Sequence, residues 1–306
     1  MTLRKVYRSF LEEALGCGGE FADVALAGDC APPLWPGQRP YVPGVGEQGL
    51  VLMAAGMAYG GRRVVLSGAT SFLLGRAYEQ IRSAIALTAL PVCIVGYDSG
   101  FSAGYEGAAR QMLEDVALMR LLPGITLLVP SDRDASVALL REALRRRRPA
   151  FLRFAEERNA ALGEEQEHLC FTGARTLRRG GDITICACGI MVKEALKATD
   201  ILAQQGLHAE VIDCCCVSPL PGRSILSSLQ KTGCCVVAEE HFLAGGLFES
   251  VTALAAQEYP VPVLPVTASG GFGQSGSTQN LRDYYGLTAT QVVSAAVQAW
   301  ARRRVG

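Results

Sequence analysis

The chain has no surplus of either charge: Lys plus Arg and Asp plus Glu stand at 29 each. That balance gives no electrostatic reason for a nucleic acid or an anionic membrane as partner. No apolar run reaches the roughly 18 residues that mark a membrane-spanning helix. The first 13 residues carry two early basic side chains, Arg4 and Lys5, and a third at Arg8, but no long apolar core, so no secretory signal is expected. Histidine is scarce, with three in 306 residues, and none stands near enough to Cys186-x-Cys188 to complete a zinc pattern. There is no short internal repeat.

Cysteine is abundant instead, at 11. Cys214, Cys215 and Cys216 are consecutive, and Cys234 adjoins Cys235. Neighbours in a strand face opposite sides, so such pairs chelate poorly. An odd number of apolar-flanked thiols suits a reducing cytoplasm and small core-filling side chains. Cys30 is the exception to watch, because it follows a predicted strand end. Hydrophobic residues make up 49% of the 306, enough for two cores at roughly 100–200 residues per domain.

Short apolar runs alternate with helical patterns in both halves. Strands are expected at 21–27, 63–67, 91–95, 126–129 and 150–154, the last closing the sheet. Helices are expected at 6–15, after Glu47, and at 72–87, 111–121 and 132–144, the last capped by Ser131. Gly28-Asp29-Cys30 falls past the first strand's carboxyl end, where ligands collect in open parallel sheets. Residues 96–107 form a glycine-rich loop. A polar, turn-rich stretch is taken as a linker, 158–180, between domains at 1–157 and 181–306. The second domain repeats the alternation, with strands at 183–187, 208–212, 234–238 and 261–266 and helices at 191–205, 223–229, 245–259 and 290–302. The predicted fold is α/β: two successive domains, each a mostly parallel sheet with right-handed crossovers and flanking helices.

Gly44-Val45-Gly46-Glu47-Gln48-Gly49-Leu50 sets a glycine-flanked carboxylate where an extended segment turns into a helix. Gly44 and Gly46 allow close backbone approach. Leu50, Met53, Ala54 and Met57 have the spacing of a buried helix face, so Glu47 stands one turn from packed apolar residues. Two roles suit it. Burial without a partner would favour the neutral acid; otherwise it is an ordinary first-turn carboxylate stabilised by the helix dipole.

The same stretch resembles the G-x-x-E-Q-x-x-x-x-x-A-x-G segment of the transketolase family's pyrimidine-binding domain. Residues 72–82, with Phe72, Arg76, Gln80 and Arg82, resemble the family's F-x-x-R-A-x-x-Q-I-R helix. Gly104, Glu106, Gly107, Arg110, Gln111 and Asp115 are similar to G-x-D-G-x-T-H-Q-x-x-x-D/E. Arg120, Pro123, Pro130 and Asp132 follow its continuation, and Pro149 to Arg153 its P-x-y-x-R strand. Pro219-Leu220, Glu239-Glu240-His241 and Gly245-Gly246-Leu247 resemble the C-terminal transketolase domain. The matching segments run in order over almost the whole chain.

The resemblance implies thiamine diphosphate as cofactor, with Glu47 at N1′ of its aminopyrimidine. A protonated carboxyl there drives the 4′-amino group to its imino form, which takes the C2 proton of the thiazolium. Phe72 is then the aromatic stacked on the pyrimidine, with core packing as its other reading, as for Tyr78. Arg76 and Gln80 join Glu47 and Phe72 as cofactor-binding residues. Arg110 joins Glu47 as catalytic, and Asp29, Glu106 and Gln111 fall on the substrate side.

Three departures matter. The family's Thr-His is Ala109-Arg110 here, and its Asp before Gly is Glu106. Arg cannot shuttle protons at neutral pH, but it can hold a carboxylate through two parallel bonds, or fold back onto Glu106 or Glu114. Beyond Arg153, the position of a phosphate-gripping Arg is Glu156. A carboxylate-bearing or unphosphorylated substrate is therefore expected.

The family's G-D-G…N-N segment for Mg²⁺ and diphosphate is missing from this sequence. The resemblance thus implies the C-terminal, β-type subunit of a split enzyme. An N-terminal transketolase-like subunit would supply the Mg²⁺ and diphosphate site, in an α₂β₂ assembly that transfers a two-carbon unit. No metal ligands are expected here. Rival readings are the β subunit of a 2-oxoacid decarboxylating dehydrogenase and a non-catalytic regulatory partner. Glu239-Glu240-His241 is expected to make structural contacts between domains or subunits.

Overall fold

A computed structural model describes residues 9–11, 13–14, 24–27, 46–154 and 173–303. The expectations for Asp29, Cys30, Glu156 and most of the 158–180 linker lie outside the described residues. Within them, no helix is long and apolar enough to cross a membrane.

Two sheets organise the chain. The first contains β1 (Val24–Ala27), β2 (Val64–Ala69), β3 (Val92–Tyr97), β4 (Thr126–Leu128), β5 (Ala150–Arg153) and β9 (Cys216–Ser218), in the order β1-β2-β3-β5-β4-β9. All its pairings are parallel except β4 with β9. β2 and β3 are buried at every position, as expected of parallel strands covered on both faces. Val64 and Leu66 pack toward α1 (Glu47–Tyr59) and α2 (Thr70–Gln80). Val65, Cys93 and Val95 pack toward α4 (Arg133–Arg146). The short α3 (Asp115–Arg120) follows the glycine-rich loop.

The second sheet contains β6 (Arg175–Arg178), β7 (Ile183–Ala187), β8 (Ala209–Asp213), β10 (Cys235–Phe242) and β11 (Val263–Ala268), in the order β11-β10-β7-β8-β6. Only β6 is antiparallel to its neighbour. α5 (Met191–Gln204) and α9 (Ala289–Ala301) share one core with Ile183, Ile185 and Val236. α6 (Gly222–Thr232) and α7 (Leu247–Glu258) cover the other face, and α8 (Thr278–Tyr284) precedes α9. That second face is continuous with the first domain's core: Cys186, Ile212 and Leu247 belong to the same apolar cluster as Leu50, Leu73 and Met119.

The architecture is the predicted one, with differences that share a cause. Strand 150–154 does not close the first sheet. β5 is an inner strand, and the far edge is β9, contributed from beyond the second domain's β8. The predicted helix at 111–121 is helical only over Asp115–Arg120, because Met112 forms an antiparallel bridge with Gly100. The cap of α4 is Asp132, whose carboxylate accepts from the Ala135 N–H at 2.7 Å. Ser131 instead donates to Asp213 at 2.6 Å. The helix predicted at 72–87 starts at Thr70 and continues beyond Gln80 as a π-helical turn, Ile81–Ala86. β6, β9 and α8 were not predicted. In most of these cases a long-range partner decides what the local pattern cannot.

The eight described cysteines are free and buried, as expected of core thiols. Burial pushes the thiols of Cys93 and Cys234 up to about 12, which makes them poor nucleophiles. Cys17, Cys30 and Cys170 lie outside the described residues.

Candidate active site

The parallel register of β2, β3 and β5 brings Ala69, Tyr97 and Arg153 to one end of the first sheet. Chain reversals start there, and the side chains just past strand ends meet. Thr70 donates to the Tyr97 carbonyl at 2.9 Å and pairs with Ser99 at 2.7 Å, tying the start of α2 to the end of β3. This sets Phe72 and Arg76 beside the first turn of α1. Gln48 donates to the Arg76 carbonyl at 3.0 Å, locking the start of α1 to the middle of α2.

Glu47 is the first residue of α1, and its side chain is 17% exposed. It is not without a partner. Arg76 Nη1 donates to its two carboxylate oxygens at 3.3 and 3.4 Å. The Arg76 guanidinium lies over the Phe72 ring, 4.0 Å from the centroid, and the Arg110 guanidinium lies 4.4 Å from the same centroid. Arg110 in turn donates to Asp98 at 3.0 Å and pairs with Glu106 at 3.0 Å. Glu47, Arg76, Phe72, Arg110 and Glu106 thus form one continuous patch.

Other predicted residues are placed differently. Gln80 has a buried Oε1 with no hydrogen-bond partner among the described residues. The Gln111 amide donates to the carbonyls of Gly104 and Gln274, at 2.9 and 2.8 Å, so it braces a loop. Arg110 pairs with Glu106 and Asp98; Glu114 instead accepts from the Leu113 N–H at 2.9 Å. Tyr78 donates to the Leu118 carbonyl at 2.8 Å and packs against the core. Asp98 was not singled out from sequence. Its position just past β3, before a glycine-rich loop, is the signal that could have found it.

Glu239, Glu240 and His241 lie where the domains meet, with the Glu240 carboxylate against Gly100 of the glycine-rich loop. Glu239 accepts from the N–H groups of Leu247 and Phe248, each at 2.8 Å, at the start of α7. The His241 Nε2 accepts from the Ala117 N–H at 3.2 Å, while its Nδ1 faces the Phe242 carbonyl at 2.7 Å. The Nδ1–H tautomer satisfies both contacts. Arg153 donates to Asp115 at 2.7 Å and to the Glu240 carbonyl at 3.0 Å, and Arg282 donates to the Glu240 carboxylate at 3.2 Å. Burial pushes the Glu240 carboxyl up to about 7, against the pull of Arg153. Arg120 adds cross-domain bonds to the carbonyls of Gly245 and Gly246. As expected from sequence, the Glu-Glu-His segment joins domains.

Comparisons with known proteins agree with this geometry. Residues 32–160 match the family model of the transketolase pyrimidine binding domain, and residues 173–292 that of the transketolase C-terminal domain. The chain is 35% identical over 260 residues to the 6-deoxy-6-sulfo-D-fructose transketolase subunit SqwH of Clostridium sp. (strain MSTE9), covering 85% of this chain and 81% of that protein. It is 31% identical over 264 residues to a putative transketolase C-terminal section of Methanocaldococcus jannaschii, covering 85% and 83%. A solved structure described as a split gene transketolase, inactive beta4 tetramer, superposes with a TM-score of 0.87 at 30% identity, covering 99% of each chain. With a carboxylate opening α1, an aromatic ring near it and both domain types in order, the chain belongs to the transketolase family.

Proposed function

We propose that this chain is the β-type subunit of a two-chain, thiamine-diphosphate-dependent transketolase-like enzyme that transfers a two-carbon unit between small molecules. The observation that carries the reading is the shared patch of the Glu47 carboxylate and the Phe72 ring, bridged by Arg76. A carboxyl beside an aromatic face fits an aminopyrimidine, which needs one hydrogen-bond partner at a ring nitrogen and a surface to stack on. The cofactor, when bound, supplies the stabilised carbanion that the protein lacks. Glu47 would supply the hydrogen-bond partner at the pyrimidine nitrogen, and Phe72 would orient the ring.

Two guanidinium groups now share the Phe72 ring, so a stacked base takes the place of one of them. Arg76 is the one free to move, because its side chain is 48% exposed and its bonds to Glu47 are long, at 3.3 and 3.4 Å. Arg110 stays, held between Asp98 and Glu106. Its charge is already matched there, which leaves little to grip a phosphate. An unphosphorylated, uncharged donor end fits this reading better than an ordinary phosphosugar; a carboxylate-bearing one needs Arg110 released from Asp98 or Glu106 first. The relative named for a sulfosugar adds sulfonated ketoses to the donors worth screening.

The Mg²⁺ and diphosphate ligands belong, in this reading, to an N-terminal transketolase-like partner, in an α₂β₂ assembly. Support comes from α1. Leu50, Val51, Ala54 and Ala55 are buried, while Leu52, in the second turn, and Tyr59, at the far end, stand 52% and 86% exposed. A helix apolar on every side belongs in an interior, and another chain completes that interior. Buried thiols, with no disulfide among the described residues, support a reducing compartment such as the cytoplasm.

Calorimetric titration of thiamine diphosphate with Mg²⁺, on the chain alone and then with its candidate partner, tests the proposal. Binding only with the partner is expected. Tight binding by the chain alone would overturn the shared site. Release of CO₂ from a 2-oxo acid by the complex would favour the dehydrogenase reading instead.

A further inference from the structure

One of the second domain's contacts with the first domain's glycine-rich loop comes from a glycine- and serine-rich loop of its own. Residues 269–277 read Ser-Gly-Gly-Phe-Gly-Gln-Ser-Gly-Ser and run from the end of β11 to the start of α8. The loop has little packing of its own, with Phe272 79% exposed. What holds it is polar. Gln274 donates to the Tyr284 hydroxyl at 3.2 Å, and Tyr285 donates to the Phe272 carbonyl at 3.3 Å. From this position it grips the first domain. Ser275 Oγ donates to the Tyr105 carbonyl at 2.6 Å, and the Gln274 carbonyl accepts from the Gln111 amide at 2.8 Å. The Phe101 ring stacks on Tyr285 with centroids 4.8 Å apart.

The gripped segment carries the charged half of the patch. Residues 104–110 are successive tight turns, with Gly104 and Gly107 at φ +53 and +75, and they present Glu106 and Arg110. A run of turns whose bonds close on themselves has many alternatives of similar energy, so outside contacts choose among them. Two close approaches make the choice sharp. A Cβ on Gly273 would lie 1.8 Å from Gln111 Oε1, and one on Gly104 would lie 3.2 Å from the Gly276 carbonyl. At Gly104 backbone meets backbone; at Gly273 the neighbour is the Gln111 side-chain amide, which its bonds to the Gly104 and Gln274 carbonyls hold in place.

We propose that Gly273, Gln274 and Ser275 of the second domain are positioning residues: they hold segment 104–110 so that Arg110 and Glu106 face the substrate. The proposal rests on the reading of this face as the substrate side. It gives the C-terminal domain a part in substrate recognition, through contacts distinct from the buried Glu239–His241 seam. None of the three residues touches the reacting atoms in this role; each acts through the backbone it fixes.

The test uses S275A, S275T and G273A in the reconstituted two-chain complex. Loss of one hydrogen bond in S275A raises the donor KM roughly fivefold, with kcat and the thiamine diphosphate affinity unchanged, and S275T restores it. G273A moves the Gln111 amide and produces a larger KM increase. Hydrogen exchange on the β-type chain supplies a readout that needs no substrate. Exchange over 104–110 quickens in S275A and G273A, while exchange over α1 does not. Unchanged exchange in S275A overturns the proposal even where G273A fails to fold. Faster exchange with an unmoved KM overturns it too, leaving the contact purely structural. A wild-type complex that transfers no two-carbon unit from any ketose overturns the underlying functional reading, and the substrate role falls with it.

Discussion

Two clusters in this molecule use the same chemistry, Arg against carboxylate, and differ in what surrounds them. At the domain seam, Arg153 meets Asp115 at 2.7 Å with exposures of 7% and 0%. In the candidate active site, Arg76 meets Glu47 at 3.3 Å with exposures of 48% and 17%. Water screens the second pair and not the first. Exposed pairs are worth about 0–1 kcal/mol, so Arg76 can release Glu47 to a ligand at small cost. A buried pair gives up several kcal/mol when one partner is removed, because the other charge is stranded. Strength of contact therefore marks the structural pair, and weakness marks the pair available for exchange.

The largest expected effect follows from breaking the seam. R153L leaves Asp115 and Glu240 buried, with Arg282 the one cation still paired with Glu240 among the described residues. It should destabilise the chain by about 3–5 kcal/mol in urea unfolding; a loss below about 1 kcal/mol would collapse the contrast between the clusters. A second effect is pH-dependent. The Glu240 carboxyl, raised by burial to about 7, binds a proton in the folded chain where an unfolded glutamate has lost it. Its contribution to stability is complete below about pH 4.3, the unfolded value, and is lost as pH rises through about 7. Wild-type unfolding midpoints should therefore fall more steeply than those of E240Q between about pH 5 and 8. Equal slopes would mean that Glu240 stays ionised across the whole range.

The same contrast explains what could be read in advance. Strand and helix alternation was legible because parallel strands buried on both faces, such as Val64–Ala69, write continuous apolar runs. Glu47, Phe72, Arg76 and Arg110 were legible as motif positions, and the fold brings them together. Their pairing was not. Nothing local says that Arg76 bends onto Glu47, 29 residues away, or that Arg110 chooses Asp98 over Glu114. The short β9 escaped notice because its partner, β4, lies in the other half of the chain. Gln111 looked like a helix residue facing substrate, yet its amide spans 163 residues to reach Gln274. Local pattern encodes burial; it does not encode which polar group a distant loop will deliver.

The candidate active site should respond in the opposite way to the seam. E47Q removes the acid but keeps the shape, so stability should change by less than about 1 kcal/mol. Transfer by the reconstituted complex should fall at least about 100-fold, the lower range for a lost proton-transfer group. Steady-state rates beside unfolding curves on the same preparation decide this. An unchanged rate would point to the non-catalytic reading of the subunit.

The smallest effect on stability is expected at Arg76, and it is the most informative. R76A removes the 3.3 Å bond to Glu47 and one of the two guanidinium groups over Phe72. As an exposed pair, it should shift stability by about 0–1 kcal/mol. If Arg76 only occupies the place of the pyrimidine, R76A should bind thiamine diphosphate in the complex as tightly as wild type, or more tightly, because no bond need be broken first. If Arg76 itself holds the cofactor, affinity should drop when it is removed. Calorimetry on the complex separates the two, and the sign of the change says whether Arg76 is a placeholder or a ligand. A destabilisation as large as that of R153L would show that exposure is a poor guide to which charged pair this fold depends on.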